Sequence, residues 1–353
     1  MPSPSPQKLS VEAALAEHPF VPPWWARRGL VQTALASVPA TVERAPSVRR
    51  LDTPDGDFVR LHEWPGPDGA PLVLLLHGLE GGAPSRYVGE FVRRARDFGW
   101  SLCLLEFRSC GDEPNRTARF YHSGETTDLA FVVQHLVARA PERAMFACGY
   151  SLGGNVLAKW LGEVGSRAPV QLHAAAAVSA PFDLGAAARQ CDARWGGAIA
   201  RHFLRTLVPK TLAMARRFPG TVDAAAVRRC RSFVAFDDLV TAPLHGFVDA
   251  QDYWARASCT QFLPAVRVPM LLIGAKDDPL VPEAVLPHAI VEASPWLLAH
   301  FLERGGHCGF LDGGSPRRPR RWAEAQVMRY FSLHAPDVAA APAKRSMQVS
   351  RAL

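Results

Sequence analysis

Six short apolar runs punctuate the chain, at 72–76, 102–107, 145–148, 172–179, 270–273 and 297–302. Within each run apolar residues follow one another instead of alternating with polar ones, the pattern of strands covered on both faces in a parallel sheet. Between them, residues 85–98, 126–139 and 152–163 carry apolar positions at helical spacing, and 319–331 predicts a last helix. Strands and helices in alternation predict a doubly wound α/β fold with a mostly parallel sheet. Ahead of it, 29–37 reads as a helix, and 48–51 and 58–64 as a hairpin closed by the turn residues TPDGD at 53–57.

One interval departs from this rhythm. Between the strand ending near Ser179 and the strand starting near Met270 lie about ninety residues, too many for an ordinary crossover. Residues 185–218 and 224–236 within it are amphipathic, which predicts an inserted helical cap over roughly 184–258. The chain then divides into a flexible lead at 1–20, one domain at 21–334 and a disordered tail at 335–353, rich in Ala, Pro, Ser and Arg.

Composition narrows the classes. At 353 residues, with 48% hydrophobic and 21% charged residues, the chain suits one large globular domain. No apolar run approaches the length of a membrane span. The formal charge is +7, but all but five of the 40 basic residues are arginines scattered along the chain, without a nucleic-acid-binding signature, so no nucleic-acid partner is expected. Seven cysteines without a CxxC pair argue against a zinc site and a disulfide framework, and point to a reducing, cytoplasmic setting. The N-terminus lacks the basic start and apolar core of a secretory signal.

The candidate chemistry centres on CGYSLGG at 148–154, which contains G-x-S-x-G between a buried strand and an amphipathic helix. That is the setting of a nucleophile elbow: the turn is so sharp that a Cβ at Gly149 or Gly153 would strike neighbouring backbone, and the Ser151 hydroxyl is pushed out at a helix N-terminus. A serine needs a base. His307, in the glycine-flanked segment after the last strand, fits; His77 and His122 precede the serine, and His245 lies in the insertion, so these three read as structural or pocket residues. The acid that orients the imidazole should follow the strand at 270–273, where GAKDDP offers two adjacent carboxylates. Asp277, three after Gly274, is preferred; Asp278, fixed by the following proline, is the alternative, and Asp183 a third choice. The oxyanion donors should be the backbone amides of Leu152 and Leu79, the latter in the turn HGLEGG at 77–82. The glycines there fit no phosphate-binding pattern.

With these residues in place the chain resembles the YheT-like branch of the α/β-hydrolases, related to the eukaryotic ABHD esterases and lipases and to yeast medium-chain ethyl ester synthases. The resemblance rests on HGLEGG (77–82), FRSCGDEPN (107–115), YHSGETTDL (121–129), GYSLGGN (149–155), FDDLVTAPLHGFVDA (236–250), AKDDP (275–279) and GGHCGF (305–310), in order over about 20–332. Leu30-Val31-Gln32-Thr33 resembles an early L-Q-T element, and Ser109 stands where the family commonly has Gly. The resemblance implies hydrolysis of short- to medium-chain acyl esters, a small-molecule ester as partner, no metal and no organic cofactor. Ser151, Asp277 and His307 would be catalytic, and cap residues such as Phe203, Leu204, Leu207, Leu212, Met214 and Phe218 would line the acyl pocket. Two other readings share the scaffold. One is acyl transfer to an alcohol through the same triad. The other is a non-catalytic lipid-surface protein, for which the run SPRRPRR at 315–321, with Arg317 and Arg321, could supply weak membrane contact.

Overall fold

The computed structural model describes residues 6–38 and 44–336. In chain order the elements begin with α1 (Pro6–Ala16), α2 (Gly29–Ala36), β1 (Ser47–Asp52), β2 (Phe58–Trp64), β3 (Leu72–Leu76), α3 (Arg86–Phe98), β4 (Ser101–Glu106) and α4 (Thr127–Arg139). They continue with β5 (Met145–Tyr150), α5 (Leu152–Val164), β6 (Leu172–Val178), α6 (Leu184–Ala193), α7 (Ala198–Arg217), α8 (Ala224–Arg229), α9 (Phe233–Phe236), α10 (Ala242–His245) and α11 (Ala250–Ala257). The last are β7 (Met270–Ala275), α12 (His288–Ala293), β8 (Leu297–Leu302), β9 (Leu311–Ser315), β10 (Arg318–Arg321) and α13 (Trp322–Leu333).

Eight strands form one sheet in the order β1-β2-β4-β3-β5-β6-β7-β8. The hairpin β1–β2 and the β2–β4 pair are antiparallel, and every pairing from β4 to β8 is parallel. This is the α/β-hydrolase fold. Its two cores follow from the pleat, which sends alternate side chains to opposite faces. Leu72, Leu74 and Leu76 of β3 join α4 and α5 through Leu129, Val133, Val156 and Leu157. Val73 and Leu75 point the other way, onto Phe91 of α3 and Phe331 of α13. Burial on both faces is why these runs carry no polar alternation.

Between β6 and β7 the chain is helical, and the stretch expected as one helix over 185–218 is two. A turn at Arg194–Gly197 separates α6 from α7, with Trp195, Gly196 and Gly197 all at positive φ (48°, 60° and 80°). Two glycines that adopt this conformation at little cost end α6 where apolar periodicity alone would carry on. The second expected helix, 224–236, is likewise broken into α8 and α9, and α9 runs through a π-helical turn at Asp237–Thr241 into α10.

Three further differences concern the ends. Residues 6–20 of the expected flexible lead are ordered: Val11 and Leu15 of α1 are buried beside α13, Gln326 donates to the carbonyls of Leu15 and His18, and the Trp322 indole donates to that of His18. The helix expected over 319–331 begins at Trp322, because β9 and β10 pair as an antiparallel ribbon just before it. The tail expected from 335 lies outside the described residues from 337 onward. Among the described residues no helix is long and apolar enough to cross a membrane.

An ionic knot ties the β1–β2 turn to α4. The Arg108 side chain, 1% exposed, makes two bonds of 2.7 Å to the Asp128 carboxylate and one of 2.8 Å to Asp55, with Asp57 at 3.4 Å. Next to it Ser109 sits at φ 63°, the left-handed region that favours glycine. Removing the guanidinium would strand buried carboxylates, a loss on the order of 3–5 kcal/mol. Arg108→Ala should therefore lower the urea unfolding midpoint sharply, and an unchanged midpoint would refute this account of the knot.

Candidate active site

The sheet presents the strand ends after β3, β5, β7 and β8 along one edge, and the candidate residues come from the four loops there. Ser151 follows β5 directly and caps α5, at φ 50° and ψ −119°. The turn is possible because its glycines have no side chain: a Cβ on Gly149 would lie 2.2 Å from the Gly153 carbonyl oxygen, and one on Gly153 would lie 2.6 Å from those of Leu76 and His77. The Ser151 amide donates to the Val178 carbonyl at 2.8 Å, which fixes the turn on β6.

His307 Nε2 lies 2.8 Å from Ser151 Oγ, and its Nδ1 lies 2.8 Å from Asp278 Oδ2. The structure thus sets Asp278, and not the expected Asp277, against the imidazole. The chain turns after β7, with the Asp278 amide donating to the Ala275 carbonyl, and adjacent residues in that turn face different ways. Asp277 aims at loop backbone and accepts from the Gly306 amide at 2.9 Å. Asp278 is 3% exposed, and its second oxygen accepts from the amides of Leu280 (2.7 Å) and Val281 (3.0 Å), so both oxygens are engaged. Asp183, the third choice, instead caps α6 by accepting from the Ala186 amide. Burial opposes a charge on His307, but the Asp278 carboxylate and its hydrogen bond outweigh it and hold the imidazole well above its ordinary pKa.

The turn after β3 supplies the second face of the site. The Gly78 amide donates to the Tyr87 hydroxyl, the Glu80 amide to the Tyr121 hydroxyl and the Gly81 amide to the Gly78 carbonyl. Among the described residues, the amides of Leu79 and Leu152 meet no acceptor, and both residues border the same cavity as Ser151. His77 organises this turn. Its Nε2 accepts from the Phe107 amide at 3.1 Å, so Nδ1 carries the proton and donates to the Gly78 carbonyl at 2.7 Å. Full burial brings its pKa down to about 4 and keeps it neutral.

A cavity of about 140 Å³ opens beside Ser151 and His307 under the helices between β6 and β7. Of the cap residues expected to line it, Phe203 and Leu207 do, together with Phe233, Phe236 and Val240. Leu204 and Leu212 belong to the packing among the cap helices, and Met214 is buried away from the cavity. His122 and His245 also border it, with ring centroids 4.4 Å apart, and burial pushes them down to about 3 and about 4, so the wall there is uncharged. Asp237, in the π-helical turn, borders it too. Burial raises this carboxyl to about 6, although Thr241 (2.7 Å) and the Trp254 indole (2.8 Å) both donate to it.

Several positioning residues have no part in the expected set. Thr33 Oγ1 accepts from the His307 amide at 2.8 Å, and Gln32 bonds Leu311 in both directions, through Nε2 to its carbonyl (3.1 Å) and Oε1 from its amide (2.7 Å). Asn155, one turn after Ser151, donates to the carbonyls of Ser123 and Ala257 and accepts from the Cys259 amide. Lys210 of α7 pairs with Glu80 at 2.6 Å. The L-Q-T element and the Asn of GYSLGGN were the available signals for the first three; nothing local marks the Lys210–Glu80 pair.

The family described as "Serine aminopeptidase, S33" matches residues 68–307. YheT of Escherichia coli is 37% identical over 83% of this chain and 86% of its own length. This chain belongs to that α/β-hydrolase family. The hydrolase is also 29% identical to the monoacylglycerol lipase of Saccharomyces cerevisiae, over 75% of this chain and 60% of that protein. Among solved structures, DcsB in complex with a substrate analogue shares the fold, with a TM-score of 0.55 at 15% identity over 82% of this chain and all of that one.

The serine–imidazole–carboxylate order is set by Asp278, which makes the two aspartates separable. Asp278→Asn should lower kcat on any substrate attacked by Ser151 by about 10⁴-fold, since an orienting carboxylate is lost. Asp277→Asn should cost about tenfold at most, through the loop it holds, because its carboxylate does not face the imidazole. Equal losses in the two variants would overturn the assignment. A base must be neutral to act, so a raised His307 pKa shifts the acid limb of the rate profile above the ordinary histidine range. Asp278→Asn removes the largest of the causes that raise it, so the limb should move to lower pH; a limb that stays in place would contradict the pairing.

Proposed function

We propose that this protein is a serine carboxylesterase for short- to medium-chain acyl esters, working through an acyl-enzyme on Ser151. Ester hydrolysis is the activity carried by the names of two relatives: that of the Escherichia coli relative carries an esterase assignment, and the yeast relative is named a lipase. The observation that carries the finer reading is the continuous Ser151–His307–Asp278 chain of two 2.8 Å contacts.

In this reading Ser151 Oγ attacks the ester carbonyl while His307 Nε2 takes its proton. Asp278 holds the imidazole by Nδ1 and stabilises the cation that forms. The carbonyl oxygen, now negative, accepts from the amides of Leu79 and Leu152 at the α5 N-terminus. His307 returns the proton to the departing alcohol, and water repeats the sequence on the acyl-enzyme. The acyl chain would lie in the cavity among Phe203, Leu207, Phe236 and Val240. A cytoplasmic setting belongs to the same proposal, because all seven cysteines are free thiols.

Hydrolysis of p-nitrophenyl esters from acetate to laurate, compared between the natural chain and Ser151→Ala, tests it. The natural chain should show an optimum of chain length, and the variant should lose at least about 10⁴-fold in kcat. Activity that survives in Ser151→Ala, or an absence of any ester hydrolysis together with no labelling of Ser151 by a fluorophosphonate, would refute the proposal.

A further inference from the structure

Helix α2 is folded inside out. Its polar residues face the protein: Gln32 is fully buried on Leu311, and Thr33 holds the His307 amide. Its outer face is apolar, with Leu30 50% exposed, Ala34 exposed one turn later and Val38, just past the helix, 45% exposed. The segment leading into it adds Val21 at 63% and Trp24 at 81%. An amphipathic helix of a water-facing surface has the opposite arrangement. Aliphatic side chains displayed in a row beside an aromatic one mark a contact surface.

The exposed charges carried by the start of α2 and by the ribbon are basic. Arg27 and Arg28, at the start of α2, are exposed. The Gln32–Leu311 bonds bring the β9–β10 ribbon alongside the helix, and the ribbon carries exposed Arg317, Arg318 and Arg320. The acidic group beside them, Asp312, is already paired with Arg320 at 3.5 Å. Arg321, counted with this run in the sequence, is different: it is 4% exposed, bonds Glu324 at 2.8 Å and the Cys308 carbonyl at 3.1 Å, and so braces the His307 loop.

We propose that the outer face of α2, together with the β9–β10 ribbon, docks this protein on an anionic lipid surface. The aliphatic row and Trp24 would enter the headgroup region, and Arg27, Arg28, Arg317 and Arg318 would meet lipid phosphates. Charge selects this occupant over a second copy of the chain. A two-fold contact through the same face would set each arginine cluster against its own image. The apolar row selects a bilayer over a nucleic acid, which would need the cations but not Leu30, Ala34 or Val38. Because α2 also holds the His307 amide, the docked surface lies directly behind the loop that carries the base. The inference does not depend on the esterase reading, since binding is measured without turnover.

Co-sedimentation of the full chain with phosphatidylglycerol-containing vesicles tests it, with pure phosphatidylcholine vesicles as the neutral control. Binding is expected to the anionic vesicles at low salt and to fall steeply as salt rises. Leu30→Glu should abolish it, and each of Arg317→Ala and Arg318→Ala should weaken it about fivefold. All three variants should keep the natural activity on a soluble ester and the natural thermal unfolding, which shows that they fold. No binding by the natural chain at low salt, or equal binding by the variants, would overturn the proposal. So would a Leu30→Glu that only converts a dimer to a monomer, or a surface on which RNA binds and Leu30→Glu has no effect.

Discussion

The approach of α5 to the end of β3 governs the arrangement of the site. Gly153 stands in the first turn of the helix, where a side chain would collide with the carbonyls of Leu76 and His77. With only a hydrogen there, the helix N-terminus can press against the turn that carries Leu79, so two strand ends that belong to different βαβ units converge on one point. That contact sets the distance between the Ser151 hydroxyl and the Leu79 amide. It also forces Ser151 to φ 50°, a backbone strain that the surrounding strands must hold in place. His77 completes the junction, since its neutral ring ties Phe107 after β4 to the Gly78 carbonyl of the same turn.

The geometry of His307 is held by residues far away along the chain. Its amide bonds to Thr33, 274 residues earlier, and a Cβ on Gly306 would lie 2.1 Å from the Gly29 carbonyl oxygen. Thr33 and the Gly29 backbone therefore help to hold the loop that carries the imidazole. This explains the unusual polarity of α2. A loop rich in glycine at 305–309 has several amides to satisfy and few side chains of its own, so the helix that covers it must turn hydroxyl and carboxamide groups inward. The aliphatic residues are left on the outside by the same rotation.

Strand β3 was legible in the sequence to the residue, because burial on both faces leaves a local mark. The nearness of Ser151 and His307 was legible for a related reason: a strand, a glycine turn and a helix in succession, and a glycine-flanked loop after the last parallel strand, each fix one side chain at the same end of the sheet. The choice between Asp277 and Asp278 was not. Both follow β7, and which carboxylate swings to the imidazole depends on a turn whose direction is set by the Ala275 carbonyl and by the close backbone of Gly29 and Gly306. The break between α6 and α7 was written in Trp195-Gly196-Gly197, but amphipathic spacing continues across it and outweighs two glycines when only periodicity is read. Likewise α1 looked too polar to be ordered. Two buried positions, Val11 and Leu15, suffice when α13 supplies hydrogen-bond partners for its end.

Burial acts on the histidines around the site, and the partner each one meets decides the outcome. His77, His122 and His245 all lie below the ordinary histidine value, because desolvation outweighs what little charge is near them. His307 is buried too and moves the other way, since Asp278 lies 2.8 Å from Nδ1 while Asp278 is itself held by two backbone amides. The two amides engage one Asp278 oxygen and leave the other aimed at Nδ1, so the carboxylate faces the ring in a fixed orientation. Four histidines in one neighbourhood thus divide into three neutral groups and one that can store a proton between two oxygen atoms. Of the four, only that one stands 2.8 Å from a serine hydroxyl at a helix N-terminus, which is where the proposed esterase reading would have proton transfer and oxyanion stabilisation meet.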